Sequence, residues 1–306
     1  MKVERPTTVL LVLSILLVMC PVVGVMCSPY SIGIVVMFVS LLLLFVFSLL
    51  HGMWAIRRGI AVFLLVVVVV TFTSEWLGVS FGVPFGHYYY TEKLGPKILD
   101  IPWVIPIQWF NMMYVCYFMA CIVCSPVSMR QSPCKAHVDL LGVVARAFLT
   151  GLFMVGWDLI NDPFMANGVG AWVWTNPTEY FGLMYEGIPL SNFIGWVLVS
   201  VLTVLIFETL AHRMDIKPGW ISGTPRTIAN ILVLVPFVFD FAIQILDAIG
   251  LGLTKLQQPV GFIPPILGTI VMTAAAVITL LGYRRAIMAY RSAETLGPQP
   301  QVGLSH

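Results

Sequence analysis

Apolar residues run almost unbroken through eight windows of this chain, near residues 9–26, 32–50, 60–74, 103–123, 140–157, 188–207, 228–249 and 262–281. A helix needs about 20 mostly apolar residues to cross a bilayer. The runs are too long and continuous for the roughly 10-residue alternating strands of an outer-membrane barrel. The pattern predicts an all-α fold: a polytopic membrane bundle of eight transmembrane helices, or seven if one window is not fully inserted. The third window is short and is expected to continue past Glu75 to Trp76 or Leu77. The first shows no small-x-small cleavage site and reads as a retained span, not a signal peptide. One transmembrane domain then fills residues 1–306, with a flexible cytoplasmic tail over 292–306.

Composition and charge sharpen this picture. The 306 residues are 59% hydrophobic and 10% charged, where soluble domains carry about 25% charged residues. A soluble domain and a disordered chain are both excluded. A net charge of +2 offers nothing for nucleic acid to bind. The basic residues matter by position. With the N-terminus inside, twelve of them (Lys2, Arg5, Arg57, Arg58, Arg130, Lys135, Arg213, Lys217, Arg226, Arg284, Arg285 and Arg291) collect on the inner side. Only Lys93, Lys97 and Lys255 lie outside, and Arg146 falls within the fifth window. This bias follows the positive-inside rule and predicts a multi-pass protein of the cell membrane, surrounded by lipid, with both termini cytoplasmic.

The reactive side chains give no metal or cofactor signature. Cys20, Cys27, Cys116, Cys121, Cys124 and Cys134 form no disulfide framework, and Cys121-x-x-Cys124 stands without a second CxxC or a histidine cluster. The five histidines are scattered, and no nucleotide or flavin motif occurs. Neither a metal nor a cofactor is expected.

Polar and aromatic residues gather instead in two long connections, roughly 77–102 and 158–187. Seven of nine tryptophans fall on or near that side: Trp76, Trp103, Trp109, Trp157, Trp172, Trp174 and Trp196. An interfacial belt would populate both faces, so the asymmetry points to an aromatic-lined cavity. Most acids share the bias, including Glu92, Asp100, Glu179, Glu186 and Asp247. Glu75 and Asp158 end apolar windows, and Asp240 sits inside the seventh. Carboxylates in membrane helices are costly and mark function by default. The two connections also resemble one another. In the first, Glu75 is followed by Tyr88, Tyr89 and Tyr90, then by Ile105-Pro106; in the second, Asp158 is followed by Trp172 and Trp174, then by Ile188-Pro189. The distance from carboxylate to proline is 31 residues in each. This suggests an internal parallel repeat, with units near 60–124 and 140–207. Asp162 lies one turn past Asp158 if the helix persists, although Pro163 disfavours helix in the residue before it.

These blocks carry a family resemblance. The stretch Glu75, Phe85-Gly86-His87-Tyr88-Tyr89-Tyr90, Ile101-Pro102-Trp103 and Gln108-Trp109 resembles the CruF-type carotenoid hydratases, a group of carotenoid biosynthesis proteins that includes the bisanhydrobacterioruberin hydratases. So does Asp158, Asp162-Pro163-Phe164-Met165, Trp172-Val173-Trp174, Tyr185-Glu186-Gly187 and Asn192 through Trp196. The resemblance spans about residues 50–285. It implies a carotenoid 1,2-hydratase, which adds water to the terminal double bond of an acyclic end group to give a tertiary alcohol. The substrate would be a forty-carbon or fifty-carbon carotenoid, and other carotenoid enzymes are possible partners.

That chemistry suits the residues. Hydration starts when a carboxylic acid protonates the alkene, and burial or a neighbouring like charge favours the protonated form of such a group. Aromatic faces steady the resulting cation. On this reading Asp158 or Glu75 is the acid and Asp162 positions or deprotonates water. Trp109, Trp172, Trp174 and Tyr88 line the cation site, Gln108 and Asn192 hold the water, and His87, Tyr90 and Trp196 complete the substrate surface. The related small-subunit-type lycopene cyclases carry Pro-x-Glu-Glu/Asp at a helix start. The matching positions here, Gln108-Trp109 and Ser191-Asn192, lack that acidic pair, which argues against ring closure. A transporter or an assembly protein remains the non-enzymatic alternative.

Overall fold

The computed structural model describes residues 5–26, 30–128, 140–176, 178, 180–216, 228–239 and 266–295. Glu179, Asp240, Asp247, Lys255 and most of the expected tail lie outside them. The long helices are α1 (Arg5–Met26), α2 (Tyr30–Ala55), α3 (Gly59–Phe81), α4 (Val104–Ser128), α5 (Leu140–Pro163) and α6 (Leu190–Arg213). A short α7 (Ile228–Ile231) and a long α8 (Ile266–Thr295) follow. Among the described residues six helices are long and apolar enough to cross a membrane, and the shorter apolar helices Thr7–Met19 and Ile228–Phe239 fall in the first and seventh windows. The seventh window continues beyond the described residues.

Helix α3 packs on α4 and α6, and α5 packs on the same two neighbours, so α3 and α5 stand across a ring of four. Within this ring α4 is mostly buried, whereas α2 and α8 leave most of their surface on the outside of the bundle. The expected continuation of the third window is present: α3 runs through Glu75 to a left-handed cap at Gly82 (φ 74). Helix α5 likewise persists through Asp162 and Pro163. A π-helical turn, Phe164–Val169, takes over at the proline and ends at left-handed Gly170 (φ 69). The wider turn accommodates a proline that would otherwise break the ladder.

Both long connections lie at one end of the bundle and cap it. Strand β1 (Tyr88–Tyr90) pairs antiparallel with β4 (Trp172–Trp174), with Tyr88 opposite Trp174, Tyr89 opposite Val173 and Tyr90 opposite Trp172. Each end of this ribbon is extended by a threonine. Thr91 N donates to Ala171 O (2.9 Å) and Thr175 N to His87 O (2.9 Å), while their hydroxyls donate to Gly170 O (2.8 Å) and His87 O (3.1 Å). Each connection then forms a small hairpin. Strands β2 (Lys97–Ile98) and β3 (Ile101–Pro102) precede α4, and β5 (Met184–Tyr185) and β6 (Ile188–Pro189) precede α6. Leu99 and Asp100 in one turn, and Glu186 and Gly187 in the other, take the same left-handed backbone. The hairpin therefore places Ile188-Pro189 opposite Ile101-Pro102 in local structure, one helical turn earlier than the Ile105-Pro106 match seen in sequence.

The interface of α5 and α6 is pinned at the uncapped end by an ion pair. Arg146 donates through Nε to Glu208 Oε1 (2.6 Å) and through Nη2 to Oε2 (3.0 Å), and the Tyr117 hydroxyl of α4 adds a donor to Oε1 (2.8 Å). At the capped end the packing is tight around Gly195. A Cβ there would sit 2.7 Å from Phe85 Cδ1 and 3.1 Å from Pro84 Cγ. Overpacking of this kind typically costs about 1–3 kcal/mol. Gly195→Val is therefore expected to lower the temperature at which the solubilised protein aggregates, and an unchanged midpoint would show that Phe85 yields without strain.

Candidate active site

Alternation along β1 and β4 decides which aromatics enter the bundle, because residues two apart on a strand share a face. Tyr88, Tyr90 and Trp172 are buried and turn inward with Trp174, while Tyr89 and Val173 between them are exposed. Beneath this ribbon, Glu75 of α3 is 4% exposed. Its Oε2 accepts from the hydroxyls of Tyr88 and Tyr90 (2.8 Å for Tyr90), and its Oε1 accepts from Trp109 Nε1 (2.7 Å). Three side-chain donors thus converge on this carboxyl. Burial, and then the Glu75 carboxyl beside them, hold the Tyr88 and Tyr90 phenols well above the usual range. Both therefore stay neutral donors near pH 7.

Across the ring, α5 presents Asp158 and Asp162 one turn apart. The Asn192 amide of α6 donates from Nδ2 to Asp158 Oδ2 (3.0 Å) and to Asp162 Oδ2. One amide nitrogen thus bridges the two carboxyls, and Asp158 Oδ1 is buried without a hydrogen-bond partner. Between the two acidic groups lies a cleft walled mainly by aromatic side chains. Trp109 and Trp196 stack along one wall (centroids 3.8 Å apart, planes 18° apart), and Trp157 packs on Trp196 at 5.8 Å. Tyr88 leans on Trp174 at 4.9 Å, and Tyr90 meets Trp172 edge-on at 5.9 Å.

Most residues singled out from the sequence meet here. Glu75, Asp162, Tyr88, Tyr90, Gln108, Trp109, Trp172, Trp174, Asn192 and Trp196 all line the cleft. Asp158 is fully buried but stands behind Asp162, outside the cleft wall. His87 is also outside it. Its carbonyl ends the strand ribbon, and its ring covers Gly82. Four wall residues were not anticipated as site residues: Phe85, Ile105, Trp157 and Asn161. Asn161 was recoverable, since it precedes Asp162 on the same helical turn. Among the described residues no three His, Cys, Asp or Glu side chains converge to hold a metal ion.

A membrane-type helical bundle with a buried, acid-flanked aromatic cleft defines the class of protein, and the comparisons place it further. The family described as Carotenoid biosynthesis protein matches residues 8–256, and this chain belongs to that family. Over 162 residues it is 28% identical to a bisanhydrobacterioruberin hydratase of Haloarcula japonica, a stretch that covers 53% of this chain and 48% of that protein. The match thus spans about half the length of that relative. No solved structure matches the chain.

Proposed function

We propose that this protein adds water across the terminal double bond of an acyclic carotenoid end group, giving a tertiary alcohol. One observation carries the reading: two buried acidic groups, Glu75 and Asp162, face a single aromatic cleft from opposite sides of the bundle. Asp162 transfers its proton to the inner alkene carbon, and the π electrons form the new C–H bond. The cation left at the methyl-bearing carbon lies against the faces of Trp109, Trp196 and Trp174, which stabilise positive charge without attacking it. Water then bonds to that carbon. Glu75 accepts the proton the water sheds, and return of that proton to Asp162 through the cleft restores both groups. No oxidant or reductant is consumed.

The same reading treats the two connections as halves of an internal repeat about a two-fold axis through the Tyr89–Val173 pair. The self-complementary strand ribbon, the matched hairpins and the paired glycine caps support it. The excess of basic residues at the other end of the bundle supports placing the cap outside and both termini in the cytoplasm.

Expression in hosts that accumulate acyclic carotenoids tests the proposal. The expected result is a pigment heavier by one water that bears a tertiary hydroxyl. A new pigment of unchanged mass would assign ring closure instead, and no new pigment from forty-carbon or fifty-carbon substrates would reject both.

A further inference from the structure

The offset that carries hairpin 97–102 onto 184–189 also carries Glu75 onto Asp162 and Trp109 onto Trp196. The two tryptophans so related are the pair that stacks at 3.8 Å. Under this alignment the surroundings of the two acids differ. Asp158 stands where the first half has Thr71, and Asn192 stands where it has Ile105. Glu75 is held instead by two phenols and an indole. One half thus surrounds its acid with neutral donors from the cap and from α4, and the other backs its acid with a second carboxyl from the same helix.

We propose that Asp158 is a positioning residue: it keeps its proton throughout the cycle and donates it to Asp162, stabilising the carboxylate that Asp162 becomes when it protonates the alkene. This inference rests on the hydration reading above. The geometry supports the division of labour. Asp158 is fully buried and is not part of the cleft wall, whereas Asp162 is. Asn192 Nδ2 bridges Asp158 Oδ2 to Asp162 Oδ2, and the buried Oδ1 of Asp158 meets no donor. A buried carboxyl oxygen that no donor meets favours the protonated form, whose hydroxyl is then free to turn to the neighbouring Asp162. Before transfer both carry one, and Asp158 donates to the carbonyl oxygen of Asp162. After transfer one proton remains in the pair, and the new carboxylate accepts from the Asp158 hydroxyl and the Asn192 amide. Donors placed where charge develops act on the transition state rather than on substrate binding. The first half, with Thr71 and Ile105 in these places, has no second carboxyl beside Glu75, whose donors are phenols and an indole.

The test compares Asp158→Asn, which retains a donor without an ionisable proton, with Asp158→Leu and the smaller Asp158→Ala, which retain none. The full-length variants are assayed in lipid nanodiscs with an acyclic carotenoid, and binding is followed separately through the pigment's absorption shift. Loss of a single preorganised donor typically costs about 100-fold in kcat. The Leu and Ala variants are expected to lose roughly that much while KM and the absorption shift stay unchanged. The Asn variant is expected to remain within about tenfold of the parent. An Asn variant as inactive as the Leu and Ala variants would overturn the proposal, because Asp158 would then have to ionise. A common rise in KM with loss of the absorption shift would also overturn it, assigning Asp158 to the architecture of the cleft. If the parent protein itself forms no alcohol, the hydration reading fails and this inference fails with it.

Discussion

Asp162→Asn is expected to abolish hydration, lowering the rate by about 10³-fold or more, near the upper range for loss of a general acid, while the protein still inserts in the membrane. Asparagine preserves the size of the side chain and can hydrogen-bond to Asn192 and Asp158, so the cleft keeps its shape. It cannot deliver a proton to carbon. Deuterated water separates this failure from others. Each protonation of the alkene leaves a deuteron on the substrate, even when the cation reverts by losing a proton from a neighbouring carbon. Asp162→Asn should therefore block alcohol formation and deuterium uptake together. Glu75→Gln removes the group assigned to take the water's proton but leaves the acid in place. It should yield little alcohol while recovered substrate still gains deuterium. Mass spectrometry of product and residual substrate reads both quantities. Identical behaviour of the two variants would refute the division of roles between the two sides of the cleft.

The second large effect concerns folding. Glu208 is 7% exposed and Arg146 12%, and they meet through two hydrogen bonds. Removing one member of a buried pair strands the other charge in a medium that cannot solvate it, at a cost of about 3–5 kcal/mol. Glu208→Ala should therefore reduce the yield of correctly inserted protein sharply and lower its resistance to heat in detergent. Replacing both residues by leucine removes the stranded charge along with the pair, and such apolar exchanges are often neutral. The double variant should recover most of the lost stability. Should it prove no better than Glu208→Ala, the defect would lie in lost packing or in the Tyr117 contact, not in charge.

Scarcity made much of the site legible in the sequence. In a chain with so few charged residues, Glu75, Asp158 and Asp162 stood out against apolar helices, and the cost of burying them supplied the reason to single them out. Depth was less accessible. Helical spacing puts Asp158 and Asp162 on one face, but nothing local says that one lines the cleft and the other stands behind it. Strand alternation would have removed His87, since Tyr88 and Tyr90 point inward and the residue before them points away. Ile-Pro occurs twice near the start of α4, at 101–102 and 105–106, and only the hairpin, a contact between backbones, shows that 101–102 is the pair whose local structure matches Ile188-Pro189. Arg146 was visible as a charge within an apolar window, yet its partner lies 62 residues away, and no periodicity connects them.

The ribbon formed by Tyr88–Tyr90 and Trp172–Trp174 has a consequence for how the chain is made. Glu75 draws two of its donors from a strand whose pairing partner lies beyond two further helices in the chain. A nascent chain that has inserted only α3 and α4 has the carboxyl and its three donors but lacks the strand that pairs with Tyr88–Tyr90. The cleft is complete only when the second connection has paired with the first and α6 has supplied Asn192 and Trp196. Maturation of the site is thus timed by synthesis of the second half, and a chain truncated before residue 172 retains the acid without the enclosure that makes it useful.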